Sequence, residues 1–168
     1  MNYITHSLGG AVAGALVISS TGVSGPAQQA TIMTGAVLGA LFIDIDSKNS
    51  WISHKIPIAG EMTSDLFKHR GLIHTPVFII LAAIVLNCIN WGFLGNWGYL
   101  SPYFIKGFVL GMFSHIILDT LNVQGIMWLW PLTDKRIHIL SIRTNSLPEG
   151  IVTLMLAAGI MLNYKLLF

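Results

Sequence analysis

Five apolar stretches, each close to the length of a membrane-spanning helix, constrain this chain more than anything else in it. They fall at residues 7–23, 30–45, 75–91, 102–121 and 148–167. A bilayer core about 30 Å thick calls for about 20 largely apolar residues in helical form. Backbone polar groups in lipid must be satisfied internally, which leaves helices or closed barrels. Runs this long, with no alternating pattern, point to helices. Charged residues make up 10% of the 168-residue chain and hydrophobic residues 54%, where a soluble domain carries about 25% charged. The expectation is an all-α, polytopic membrane protein, a single integral domain over 1–168 with about five transmembrane helices. A lone Cys88 excludes a disulfide framework and a cysteine zinc site, and a net charge of +2 gives no footing for nucleic acid. Residues 1–20 hold no Lys or Arg, so the basic region of a signal peptide is missing and the N-terminus is expected to stay in the mature protein.

Between the apolar stretches the chain alternates short turns and long polar loops. Gly22, Gly25 and Pro26 mark the first turn, and a Gly- and aromatic-rich segment at 92–101 the second. The loops at 46–73 and 122–147 hold Lys48, Lys55, Lys68, Arg70, Lys135, Arg136 and Arg143. Cationic loops stay in the cytoplasm. The N-terminus is therefore expected inside and the C-terminus outside, with the five tryptophans at interfaces. Thr75 before Pro76 reads as a helix cap. Glycines recur at helical spacing as Gly10 and Gly14, Gly35 and Gly39, and Gly107 and Gly111. This pattern reads as close packing within the bundle in preference to a dimerisation motif.

On this topology the ionisable residues collect at one end. His6 comes before the first helix, Asp44 and Asp46 end the second, His69 and His74 precede the third, and Glu149 opens the fifth. His115 and Asp119 lie four residues apart in the last turns of the fourth, so they share a face. Ionisable groups at such depth demand a partner or an ion. Imidazole nitrogen and carboxylate oxygen suit zinc, and also manganese or iron. The candidate ligands are His6, Asp44, His69, His74, His115 and Asp119, for one or two divalent ions. Paired ions clamp the oxygens of a phosphoryl transfer and acidify water. Asp44 or Asp46 would orient that water, and Arg70 would balance charge on phosphate oxygens. Lys68, Arg136 and Arg143 would guide an anionic head group. His54, His138, Glu61, Asp65 and Asp134 lack patterned neighbours and read as solvated groups.

The ordered set Thr5-His6, Asp44-Ile45-Asp46, His69-Arg70-Gly71-Leu72-Ile73-His74-Thr75, His115-Ile116-Ile117-Leu118-Asp119, Gly125 and Leu129-Trp130-Pro131 resembles the YdjM family of inner-membrane proteins. That resemblance implies a metal-dependent hydrolase of the bacterial inner membrane. A more distant likeness, in the order His, Asp, His, His-x-x-x-Asp, is to zinc-dependent phospholipase C and the P1-type nucleases. It implies phosphoesterase chemistry with His6, Asp44, His69, His115 and Asp119 as ligands. Those enzymes add a second such pair downstream, where this chain offers only His138 and Glu149 at the wrong spacing, so three ions are not implied. The expected function is a membrane hydrolase acting on a phospholipid or lipid-linked phosphate at the cytoplasmic face. A divalent-metal transporter and a non-catalytic metal-binding membrane protein are the alternatives. A transport site belongs near the bilayer midplane, whereas these ligands sit at helix ends.

Overall fold

The computed structural model describes residues 1–46, 71–90 and 101–167, with backbone alone at 45, 46, 90 and 163–167. Its regular elements are helices: α1 (Tyr3–Thr21), α2 (Pro26–Phe42), α3 (Pro76–Asn90), α4 (Pro102–Thr120) and α5 (Leu147–Leu167), with a short 3-10 turn, Ile43–Asp46, after α2. The all-α expectation holds among the described residues. Helix starts differ at two places. α1 begins four residues earlier than expected because Asn2 caps it, its side-chain oxygen accepting from Thr5 N at 2.9 Å. His6 therefore lies in the first turn of α1 and not ahead of it. α2 begins at Pro26, which serves as a first-turn residue where a turn was expected. It ends at Phe42, so Asp44 sits on the 3-10 turn. Only Tyr3–Thr21, among the described residues, is both long and apolar enough to cross a membrane, while Pro76–Ile89 and Leu147–Leu162 are shorter apolar helices. Five spans are thus more than helix length and composition establish.

Glycines set the closeness of the central helices. A Cβ on Gly111 would run into the Ala36 carbonyl oxygen, one on Gly107 into the Ile32 carbonyl, and one on Gly39 into the Phe108 carbonyl. α2 and α4 therefore run in the same direction, backbone against backbone, in the manner of small-residue membrane pairs. On α1, Gly10 faces Ala36 and Ala40, and Gly14 faces Met33 and Ala36, so α1 runs opposite to α2. These pairs pack within one chain, as expected. The directions bring the start of α1 and the ends of α2 and α4 to one end of the bundle. Ile43, Ile73, Ile79, Met112, Ile116 and Ile126 close a core beneath that end.

Two further pieces finish this end. Thr75 is fully buried and caps α3, its hydroxyl oxygen accepting from Phe78 N at 3.2 Å and donating to Leu72 O at 2.7 Å. Thr75→Ala should lower stability by about 1 kcal/mol, the usual worth of a helix N-cap. Equilibrium unfolding in detergent checks this, and an unshifted midpoint would refute the cap. The loop at 122–147 folds back on the end of α4. Ile139 N donates to Thr120 O at 2.9 Å, Ile142 N to Leu121 O at 3.1 Å, and Trp128 Nε1 to Thr120 Oγ1 at 2.9 Å. Isolated bridges join Asn122 to Ile142 and Ile126 to Ile137. Ile126 then reaches the same core as Ile43 and Ile73, neighbours in sequence of Asp44 and His74.

Candidate metal centre

Where α1, α4 and the 3-10 turn converge, three imidazoles and two carboxylates meet. His115 is fully buried on α4. Its Nδ1 lies 2.6 Å from the Ala40 carbonyl on α2. A carbonyl can only accept, so that nitrogen carries the proton. Nε2 then faces Asp119 Oδ2 at 3.4 Å and Asp44 Oδ1 at 3.8 Å. Two carboxylates turned on one ring nitrogen gather negative charge that a cation among them would balance. This tautomer lock, with the second ring nitrogen tied to a backbone carbonyl, is the arrangement metal-binding histidines adopt.

The other groups complete the cluster. His74 Nε2 is 3.8 Å from Asp44 Oδ1 and 3.8 Å from Asp119 Oδ2. His6, fully buried, stacks on the His115 ring with centroids 3.7 Å apart and an angle of 12°. Its Nε2 stands 3.3 Å from Asp119 Oδ1. The Met1 nitrogen also contacts Asp119 Oδ1, at 3.0 Å. Neither ring nitrogen of His6, nor Nε2 of His115, makes an aligned hydrogen bond among the described residues. Buried polar groups are rarely left so. Asp119 thus turns one oxygen to His6 and the other to His74 and His115.

The spacing suits a metal. Two groupings, His6 with His115 and Asp119, and Asp44 with His74 and His115, each keep their ligand atoms within 4.8 Å of one another. Ligands bound tetrahedrally to zinc at about 2.0–2.1 Å lie about 3.4 Å apart, close to the 3.3–3.8 Å separations here. Asp44 lies on the turn past the end of α2. Burial alone would raise its carboxyl, but His74 beside it and the His115 and His6 rings outweigh burial and hold it below its ordinary range. Among the described residues the cluster is most exposed at His74 and Asp44. His6 and His115 are sealed, whereas His74 and Asp44 keep 21% and 22% of their side-chain surface exposed. A substrate or water would therefore arrive past Asp44 and His74.

Of the residues singled out in the sequence, His6, Asp44, His74, His115 and Asp119 are thus brought together. His69 and Arg70 lie outside the described residues, and so does the side chain of Asp46. Two participants had no expected role. The Ala40 carbonyl carries no side-chain signature at all. Glu149 was legible as an acid in a first helical turn, but its partners were not. Its carboxylate is buried and accepts from Asn2 N at 2.6 Å, from Thr5 Oγ1 at 3.3 Å and from Asn145 N. It serves the start of α1 and is not among the metal-binding groupings.

Comparison with known proteins gives a context for this geometry. The model of the YdjM inner membrane protein family matches residues 1–167. YvsG of Bacillus subtilis (strain 168) is 33% identical over 120 residues, 71% of this chain and 68% of that protein. The inner membrane protein YdjM of Escherichia coli (strain K12) is 31% identical over 102 residues, 60% of this chain but 49% of that protein. The inner membrane protein YbcI of the same organism is 29% identical over 84 residues, 46% of this chain and 44% of that protein. The matches thus span about half the length of the two E. coli proteins. No solved structure matches the chain.

Proposed function

Because this chain belongs to the YdjM family of inner membrane proteins, we propose that it is a multi-pass, metal-dependent hydrolase that cleaves a phosphate ester of a lipid or lipid-linked substrate at the cytoplasmic face. One observation carries the metal in this reading: His115, its Nδ1 tied to the Ala40 carbonyl, turns Nε2 toward both Asp44 and Asp119. The multi-pass reading is supported by the large apolar side chains that point outward along the helices. They include Ile80 and Ile84 on α3 and Leu154, Met155, Met161 and Leu162 on α5, a surface suited to lipid and not to water. The cationic loops then put the N-terminus and the site inside and the C-terminus outside.

The cluster would hold one or two zinc ions, with manganese or iron as substitutes. When bound, such an ion polarises a phosphoryl oxygen and brings the pKa of water towards neutrality. The chain supplies the rest. His74, His115 and Asp44 form one holding group, His6 the other side, and Asp119 reaches both through its two oxygens. Asp44 stands at the more exposed side, where its carboxylate would accept a hydrogen bond from incoming water and orient it. The roles read from the sequence for Asp46 in orienting water and for Arg70 in balancing phosphate charge belong to this reading, with His69 as a further ligand. A site at helix ends meets head groups at the level where phosphate lies.

Metal analysis of detergent-purified protein, followed by phosphate release from a panel of phospholipids and lipid-linked phosphates, tests this. One to two zinc ions per chain and chelator-sensitive release are expected. Zinc uptake into protein-bearing liposomes with no phosphate released from any lipid would replace the hydrolase with a transporter. Bound zinc with neither activity would leave a structural ion, whose removal should then lower the melting temperature sharply.

A further inference from the structure

We infer that Glu149 is a positioning residue for His6: through Asn2 it sets where α1 begins, and so holds the His6 ring against His115 and Asp119. The inference rests on the proposed metal centre for its functional meaning, although the placement of His6 can be measured without metal.

The connection is short. The Glu149 carboxylate is 1% exposed and on α5. One of its oxygens accepts from Asn2 N at 2.6 Å. The carbonyl of the same Asn2 accepts from His6 N at 3.2 Å, and its side chain accepts from Thr5 N at 2.9 Å. The residue before His6 is tied down as well. Thr5 Oγ1 lies 3.3 Å from the same Glu149 oxygen and 2.9 Å from Thr153 Oγ1, one helical turn along α5. The second Glu149 oxygen receives Asn145 N, from a residue with φ of 60° just before α5. One buried carboxylate thus joins the first turn of α1 to the start of α5. A helix first turn has no intrahelical partners for its N–H groups and frays unless something outside holds it. His6 lies within that turn, and its own side chain makes no hydrogen bond that would fix its angle, among the described residues. Its position is therefore inherited from the backbone that Glu149 holds. His115 is placed differently, by the Ala40 carbonyl, and does not depend on Glu149.

That difference provides the test. Glu149→Gln keeps the size of the side chain but turns an N–H₂ toward one of the two backbone N–H groups. Modification of histidines by diethylpyrocarbonate, read residue by residue by mass spectrometry on metal-free protein in detergent, should show His6 reacting at least tenfold faster in E149Q while His115 stays protected. On the same samples, zinc titration should show binding at least tenfold weaker than wild type. Where E149Q does not fold, Asn2→Pro compared with Asn2→Ala isolates the same amide. Both lose the side-chain cap, proline alone loses the N–H, and a φ of −80° accepts its ring. The proline variant should then expose His6 more than the alanine variant. Unchanged His6 reactivity, or His6 and His115 exposed together, would overturn the positioning role. Wild type that binds no zinc would end the metal reading instead, and the His6 reactivity would still decide whether Glu149 holds that ring.

Discussion

Alanine at His115 should remove metal and turnover together. His115 belongs to both ligand groupings, so among the described residues neither grouping keeps three members after its loss. Its Nδ1 hydrogen bond to Ala40 disappears as well, leaving a buried carbonyl without its donor. Groups that only orient a metal's ligands typically matter by about 10–100-fold in affinity, and a ligand common to both groupings should exceed that. Zinc content after equilibrium dialysis should fall from one or two per chain to near none, and phosphate release to background. His6→Ala is the graded comparison. It leaves Asp44, His74 and His115 in place, so part of the zinc should remain. H115A that retains wild-type zinc would refute the centre described here.

That comparison reflects how the site is encoded. The convergence of His and Asp at one end was legible because helix direction alternates along the chain, and alternation sends ligands on successive helix ends to the same side. His115 and Asp119 needed only the helical period. The place of His6 was less legible. Its helix starts at Asn2, whose capping role depends on a hydrogen bond to Thr5 N that competes with other uses of an Asn near a turn. Pro26 was equally ambiguous, since proline fits both a turn and a first helical turn. The Ala40 carbonyl could not be read at all, because every residue has one and only packing selects it. Glu149 carries an acid's ordinary signature at a helix start, yet its partners on α1, Asn2 and Thr5, lie more than 140 residues away in the chain. The glycine spacing announced close approach, but which glycine meets which carbonyl is a property of the assembled bundle.

Gly111→Ala is where that assembly should fail most visibly. The added Cβ would collide with the Ala36 carbonyl oxygen, a backbone atom that cannot swing aside as a side-chain tip would. α2 and α4 must separate, and the first hydrogen bond to break lies one turn along both helices. It runs from His115, one turn past Gly111, to Ala40, one turn past Ala36, and its 2.6 Å approach fixes the His115 tautomer. Overpacking typically costs about 1–3 kcal/mol and sometimes more, against about 1 kcal/mol regained by replacing a helical glycine. With rigid backbone on the far side, a net loss of about 2 kcal/mol is expected, accompanied by weaker zinc binding. Gly150→Ala supplies the contrast. It also lies in a helix, but a Cβ there meets nothing within 4 Å, so stability should hold or rise by up to about 1 kcal/mol. Thermal unfolding in detergent with parallel zinc titration separates the two variants. If G111A matched G150A in both, close backbone approach would not be what holds the ligands of α2 and α4 in register, and the cluster would need another scaffold.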